Sequence, residues 1–174
     1  NVLSSLDNME LEAVKRGASG NLRFSIAQLL MAGNDYIITE NEHYQREHNR
    51  LSQRVNDFYQ QFIQLPLTEE EQQLLAEIKQ SVDSIRAYSA QIFTIQHPRQ
   101  SPKVWALAET MDYRFGDDVN RKTTEIFNGI SRRIEQHRLL ARAHKQNASD
   151  SIYGIMFLGI LITLVVGYLT VQRI

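Results

Sequence analysis

The 174-residue chain contains no cysteine, which removes disulfides, thiolate metal ligands, covalently attached haem and cysteine nucleophiles from consideration. It leaves the compartment open. Proline is nearly as scarce, with three residues at positions 66, 98 and 102, and there are only eight glycines. So few breakers mean few turns and long regular elements. An excess of either charge is missing too. Nineteen Lys and Arg against twenty Asp and Glu give a formal net charge of -1, so no global basicity points to nucleic acid. The basic residues of the C-terminal half, among them Arg114, Arg121, Lys122 and Arg138, interleave with Asp117, Asp118, Glu125 and Glu135. That is the pattern of a solvated, salt-bridged face. No nucleophile-base set, phosphate loop or paired-acid motif occurs, so no catalysis is expected from this chain.

What is present is one long apolar run. From Ile152 to Val171 twenty residues carry no charge, with Asp150 before them and Arg173 after. A bilayer core about 30 Å thick needs roughly 20 apolar residues of helix. Tyr153 and Tyr168 stand near the ends, where interfaces favour tyrosine, and Gly154, Gly159 and Gly167 lie inside. The sequence therefore predicts a transmembrane helix over 152–172. Arg142 and Lys145 precede it and Arg173 follows, so the distribution of positive charge does not fix its orientation.

The remaining residues, 1–151, show a helical period almost throughout. Tyr44, His48, Leu51, Val55, Phe58, Phe62 and Leu65 form one apolar seam, and Leu75, Ile78, Val82, Ile85, Ser89 and Ile92 form another. Between them Pro66 stops one helix, while Thr68 with Glu71 three residues on is a capping box that opens the next. After a break at His97-Pro98, Ser101 as N-cap and Pro102 at the first helical position start a further helix. Its seam of Val119, Ile126, Ile130, Ile134, His137 and Ala141 meets no strong breaker before the membrane. It would run for more than about 100 Å. In the first helix Leu6, Ala13, Gly20 and Ala27 form one stripe and Leu3, Gly17, Phe24 and Met31 another, with Gly33-Asn34-Asp35 marking a fraying end. The fold class is all-α: an up-down antiparallel four-helix bundle with helices at about 2–38, 41–65, 69–96 and 102–151, the fourth continuing into the membrane helix.

This arrangement resembles the periplasmic four-helix sensor domains of bacterial chemoreceptors and sensor histidine kinases, taken with their second transmembrane helix. Leu29 to Thr39, with Asn34, Asp35 and Tyr36 before the corner, is similar to the first interhelical turn of such bundles. Leu65-Pro66-Leu67-Thr68-Glu69-Glu70-Glu71 is similar to their second hairpin. The resemblance implies a homodimer in the bacterial inner membrane, with the bundle in the periplasm, sensing a small molecule or a periplasmic partner and displacing helix four. It implies a first membrane helix upstream of Asn1, which is not an initiator methionine, and a relay with a kinase or adaptor-binding part after Ile174.

In the similar nitrate and nitrite sensors, a glycine-x-leucine-arginine run on helix one binds an anion at the dimer interface. Gly20, Asn21, Leu22 and Arg23 fall on that run, although Ser19, Asn21 and Phe24 depart from its usual neighbours. Two arginines facing across a two-fold axis repel unless an anion lies between them. The competing reading is that Gly17 and Gly20 relieve crowding while Arg23 pairs with an acid of helix four. Aligning the helix ends puts Arg23 level with about residue 115, close to Asp112, Asp117 and Asp118. His43 and Glu47, four apart, make at most half a metal site. No cofactor is expected. Two other classes fit the same sequence: a tail-anchored helical interaction or scaffold protein, and an accessory membrane subunit.

Overall fold

The computed structural model describes the backbone over 2–172, and side chains over 6–143, at Tyr153 and over 156–160. The chain is all-helical, and no strand occurs among the described residues. In order come α1 (Val2–Thr39), α2 (Glu42–Ile63), α3 (Glu69–Phe93), a 3-10 turn (Pro98–Gln100), α4 (Pro102–Thr110), a π-helical segment (Met111–Gly116) and α5 (Asp117–Gln172).

The helix ends follow from local chemistry. Glu40 closes α1 in the left-handed region at φ 56°, its N–H donating to Tyr36 O at 2.8 Å. Asn41 then caps α2, its Oδ1 accepting from His43 N at 2.9 Å. The capping box of α3 is complete: Glu71 N donates to Thr68 Oγ1 at 3.2 Å and Thr68 N to Glu71 Oε2 at 2.8 Å. The α3 helix stops at Phe93 rather than near 96, because Thr94 and Ile95 turn back onto Gln91 O and Ile92 O and His97 adopts φ 51°. Pro102 occupies the first turn of α4, but the Ser101 hydroxyl makes no capping bond. The single helix expected from Pro102 onward is instead α4, a π turn and α5. Within that turn Asp117 N–H reaches Asp112 O, five residues back.

The chain forms two compact units, Glu12–Arg132 and Asn1–Leu11 with Arg133–Ile174. In the first, residue pairs fix the helix directions. Lys15 meets Glu71 and Gly33 lies against Ser89, so α1 and α3 run the same way. Ser52 with Arg86 and His48 with Phe93 set α2 against α3. Ser81 with Asp118 and Ser89 with Met111 set the α4 to α5 stretch against α3. The core holds Leu22, Ile26, Leu29 and Ile37 of α1, Leu51, Val55 and Phe62 of α2, Leu75, Ile78 and Ile85 of α3, and Val104, Met111, Val119 and Ile130 beyond. Burying each of these large side chains contributes roughly 1.5–3 kcal/mol.

Two charged layers interrupt that core. Lys15, only 2% exposed, lies 3.5 Å from Glu12 and 3.2 Å from Glu71. Lys122 reaches Asp118 at 2.6 Å and Glu77 at 3.0 Å. Burial works against its charge, but those two carboxylates outweigh it and raise its pKa.

Neither apolar stripe of α1 forms its buried face: Leu6, Ala13, Gly20 and Ala27 are exposed, as are Gly17, Phe24 and Met31. Its buried side carries Lys15, Ser19, Leu22, Ser25, Ile26 and Leu29, whereas Val14, Phe24 and Met31 are exposed.

In the second unit Ile134 is buried, while Leu139 and Leu140 are exposed. So are the described side chains further along, Tyr153, Met156, Phe157, Leu158 and Ile160, at 59 to 69%. Among the described residues no helix is long and apolar enough to cross a membrane. The run 152–171 lies on α5, but Ile152, Val171 and most side chains between them fall outside the described residues.

Candidate ligand groove and the exposed face of helix α1

The α1 helix stays regular through Gly33 and Asn34, which therefore do not fray. Gly33 is buried where α1 packs on the neighbouring helices: a Cβ there would stand in ordinary contact, 3.5 Å from Met111 Cε and 3.6 Å from Ser89 Oγ. This close approach delivers Asn34 to the π segment, where its Nδ2 donates to Asp112 Oδ2 at 3.0 Å. One turn earlier Gly116 meets Leu30, whose Cδ1 lies 3.1 Å from the position a Cβ would take.

A groove of about 360 Å³ opens beside the Asn34–Asp112 bond, walled by Ile37, Ile38, Trp105 and Ala108, with Glu109 on its rim. Trp105, Glu109 and Asp112 fall at four- and three-residue steps, so the end of α4 and the π turn present them on one side. The Trp105 indole is half exposed and is oriented by its Nε1 donating to Arg99 O at 2.9 Å. Burial pushes the Asp112 carboxyl above its usual range; the Asn34 amide opposes this and the charge of Asp117 adds to it. The Asn34 Oδ1 is buried with no hydrogen-bond partner among the described residues. A second depression, beneath Leu22, Val55 and Ile78, leaves only about 10 Å³, room for one water at most.

The residues singled out from the sequence lie elsewhere. Gly20, Asn21 and Arg23 are all on the exposed side of α1, and Arg23 has no ion-pair partner among the described residues. The alignment that set Arg23 beside residue 115 is corrected by the Leu30–Gly116 and Asn34–Asp112 contacts, which place it level with about Thr123. The offset arises because α4 begins beyond the end of α1 and the π turn adds length. Two of the three acids expected near Arg23 have other partners: Asp112 takes Asn34, and Asp118 takes Ser81, Lys122 and Arg121. A Cβ at Gly17 or Gly20 would meet nothing within 4 Å, so neither glycine relieves crowding inside the protomer.

His43 is exposed, its ring edge-on to Tyr44 at 5.5 Å. Glu47 takes both Nε and Nη2 of Arg50, and that pairing holds its carboxyl below the usual range. Among the described residues no group of three or more His, Cys, Asp or Glu could hold a metal ion. Sequence reasoning missed the groove. The spacing of Trp105, Glu109 and Asp112 was visible, but nothing along the chain pairs them with Asn34, 71 to 78 residues away.

No family model and no curated protein matches the chain in sequence. A solved structure described as a periplasmic sensor domain of a sensor histidine kinase is similar to it, with a TM-score of 0.54 and 17% identity over 86% of this chain and 95% of that one. At that identity the likeness establishes a shared helical fold.

Proposed function

We propose that the chain is the sensory bundle and second membrane helix of a bacterial receptor, of the sensor histidine kinase or chemoreceptor type. The observation that carries this reading is the likeness of fold, across most of both chains, to a domain described as a periplasmic sensor. On this reading residues 1–151 are an up-down four-helix bundle in the periplasm, and 152–172 cross the inner membrane. The described side chains of Tyr153, Met156, Phe157, Leu158 and Ile160 support the span. They spread over more than half of the helix circumference and are exposed, which suits lipid rather than water.

The receptor works as a homodimer in this proposal. Val14, Gly17, Asn21, Phe24, Met31 and Ile38 recur at steps of three, four and seven residues along the exposed side of α1. Such a seam is self-complementary about a two-fold axis. Arg23 borders it, without an ion-pair partner among the described residues, so an anion between two copies of Gly20, Asn21 and Arg23 remains part of the proposal. Any kinase activity belongs to a cytoplasmic part outside this chain.

Because the chain has no native cysteine, single cysteines can report depth in the membrane. In intact inner membranes Ser149→Cys should react with an impermeant maleimide supplied from the periplasmic side, and Ile160→Cys should react only after detergent is added. Equal labelling of both in intact membranes would overturn the membrane reading.

A further inference from the structure

The groove beside Asn34 and Asp112 has a charge balance that its own residues leave open. Two carboxylates, Glu109 and Asp112, line it and no basic side chain does. Asp117 is close enough to raise the Asp112 pKa further. Asn34 spends its amide N–H on Asp112, leaving Oδ1 buried with no partner among the described residues. Reversing the amide would set its oxygen against the carboxylate, so the orientation is dictated by chemistry. A buried acceptor beside two acids calls for a donor that is also positive.

The rest of the wall is apolar or aromatic: Ile37, Ile38, Ala108 and the half-exposed face of Trp105. An indole face attracts cations. A bare hard cation fits poorly, because calcium or magnesium takes about six or more oxygen ligands and only three side chains here supply oxygen. The volume, about 360 Å³, is at the small end of organic-ligand sites.

We propose that this groove binds a small amphiphilic cation. Its ammonium group is held by Asp112, Glu109 and Asn34 Oδ1, and its apolar body lies against Trp105, Ile37 and Ile38. The inference deepens the sensory reading above and rests on it for what occupancy achieves. A ligand here bridges the last turns of α1 to α4 and the π turn, and π turns are frequent at functional sites.

Trp105 is the only tryptophan in the chain, so its fluorescence reports the groove directly. The full chain in a non-ionic detergent, near neutral pH, is titrated with 2-phenylethylamine, its neutral isostere 2-phenylethanol and its anionic isostere 3-phenylpropanoate. The amine should give a saturable change, with both isosteres about tenfold weaker or worse. Asp112→Asn and the exposed Glu109→Gln should each weaken amine binding by about tenfold, with helicity by circular dichroism unchanged, while Asp83→Asn on α3 leaves it as in the parent. No saturable response to the amine, equal responses to all three compounds, or full binding in Glu109→Gln would overturn the proposal. The titration is independent of the cysteine labelling. Failure here with Ile160 protected removes the cation site and leaves the receptor reading; binding here with Ile160 labelled removes the membrane reading and leaves the groove.

Discussion

His48 shows what a single buried side chain does to the pH range of the fold. It sits on the α2 seam, 3% exposed, with its ring edge-on to Phe93 at 5.1 Å and neither ring nitrogen in a well-formed hydrogen bond among the described residues. Burial lowers its pKa to about 4 and the charge of Arg86 adds to this, with Asn49 opposing slightly. The unfolded chain therefore binds a proton at His48 between about pH 6.5 and 4 where the native chain does not. The stability linked to neutral His48 is complete above that window and is lost as pH falls through it. Its size is about 3 kcal/mol from the shift alone. His48→Leu should flatten this acid limb, read from urea midpoints at several pH values. A parent and a variant that lose stability in parallel over that window would exclude His48 as the cause.

At the scale of the element, α1 shows what an apolar stripe does not reveal. Both of its stripes, Leu6-Ala13-Gly20-Ala27 and Gly17-Phe24-Met31, are exposed. The core side can hold Lys15 because Glu12 on the same helix and Glu71 across the bundle neutralise it. Hydrophobic periodicity finds a face that avoids water, and a face meant for a second copy looks the same as one meant for the core. The glycines give a test. With nothing within 4 Å of a Cβ at Gly17 or Gly20, alanine at both should stabilise the monomer by about 1–2 kcal/mol through helix propensity. Under the dimer reading the same change weakens association, because small residues there let two helices approach. Thermal unfolding of dilute protein and crosslinking in membranes measure the two effects separately. Unchanged crosslinking would place the dimer seam elsewhere.

At the scale of the whole molecule the proposed signal depends on helix continuity. The α5 helix runs from Asp117 to Gln172, through the polar spacer 144–151. A displacement of one turn or less survives only in an element that does not bend to absorb it. Inserting Gly-Gly-Gly after Asn147 should uncouple ligand from output in a receptor carrying its cytoplasmic part, with Trp105 still reporting binding. Undiminished signalling in that variant would rule out transmission along helix four.

The sequence by itself determined the helices, the Thr68–Glu71 capping box, the inward seams of α2 and α3, and the apolar run at 152–171. All of these are local: caps act over three residues, seams repeat every seven, and an apolar run declares itself by length. Only the tertiary structure decided which face of α1 is buried, how α1 is aligned with the helices after Pro102, and that Asn34 meets Asp112. Those depend on pairs far apart in the chain, and on a π turn whose extra residue leaves no mark in composition. A shift of a few residues in helix alignment moved Arg23 away from its expected acids and built a groove from side chains that no motif joins.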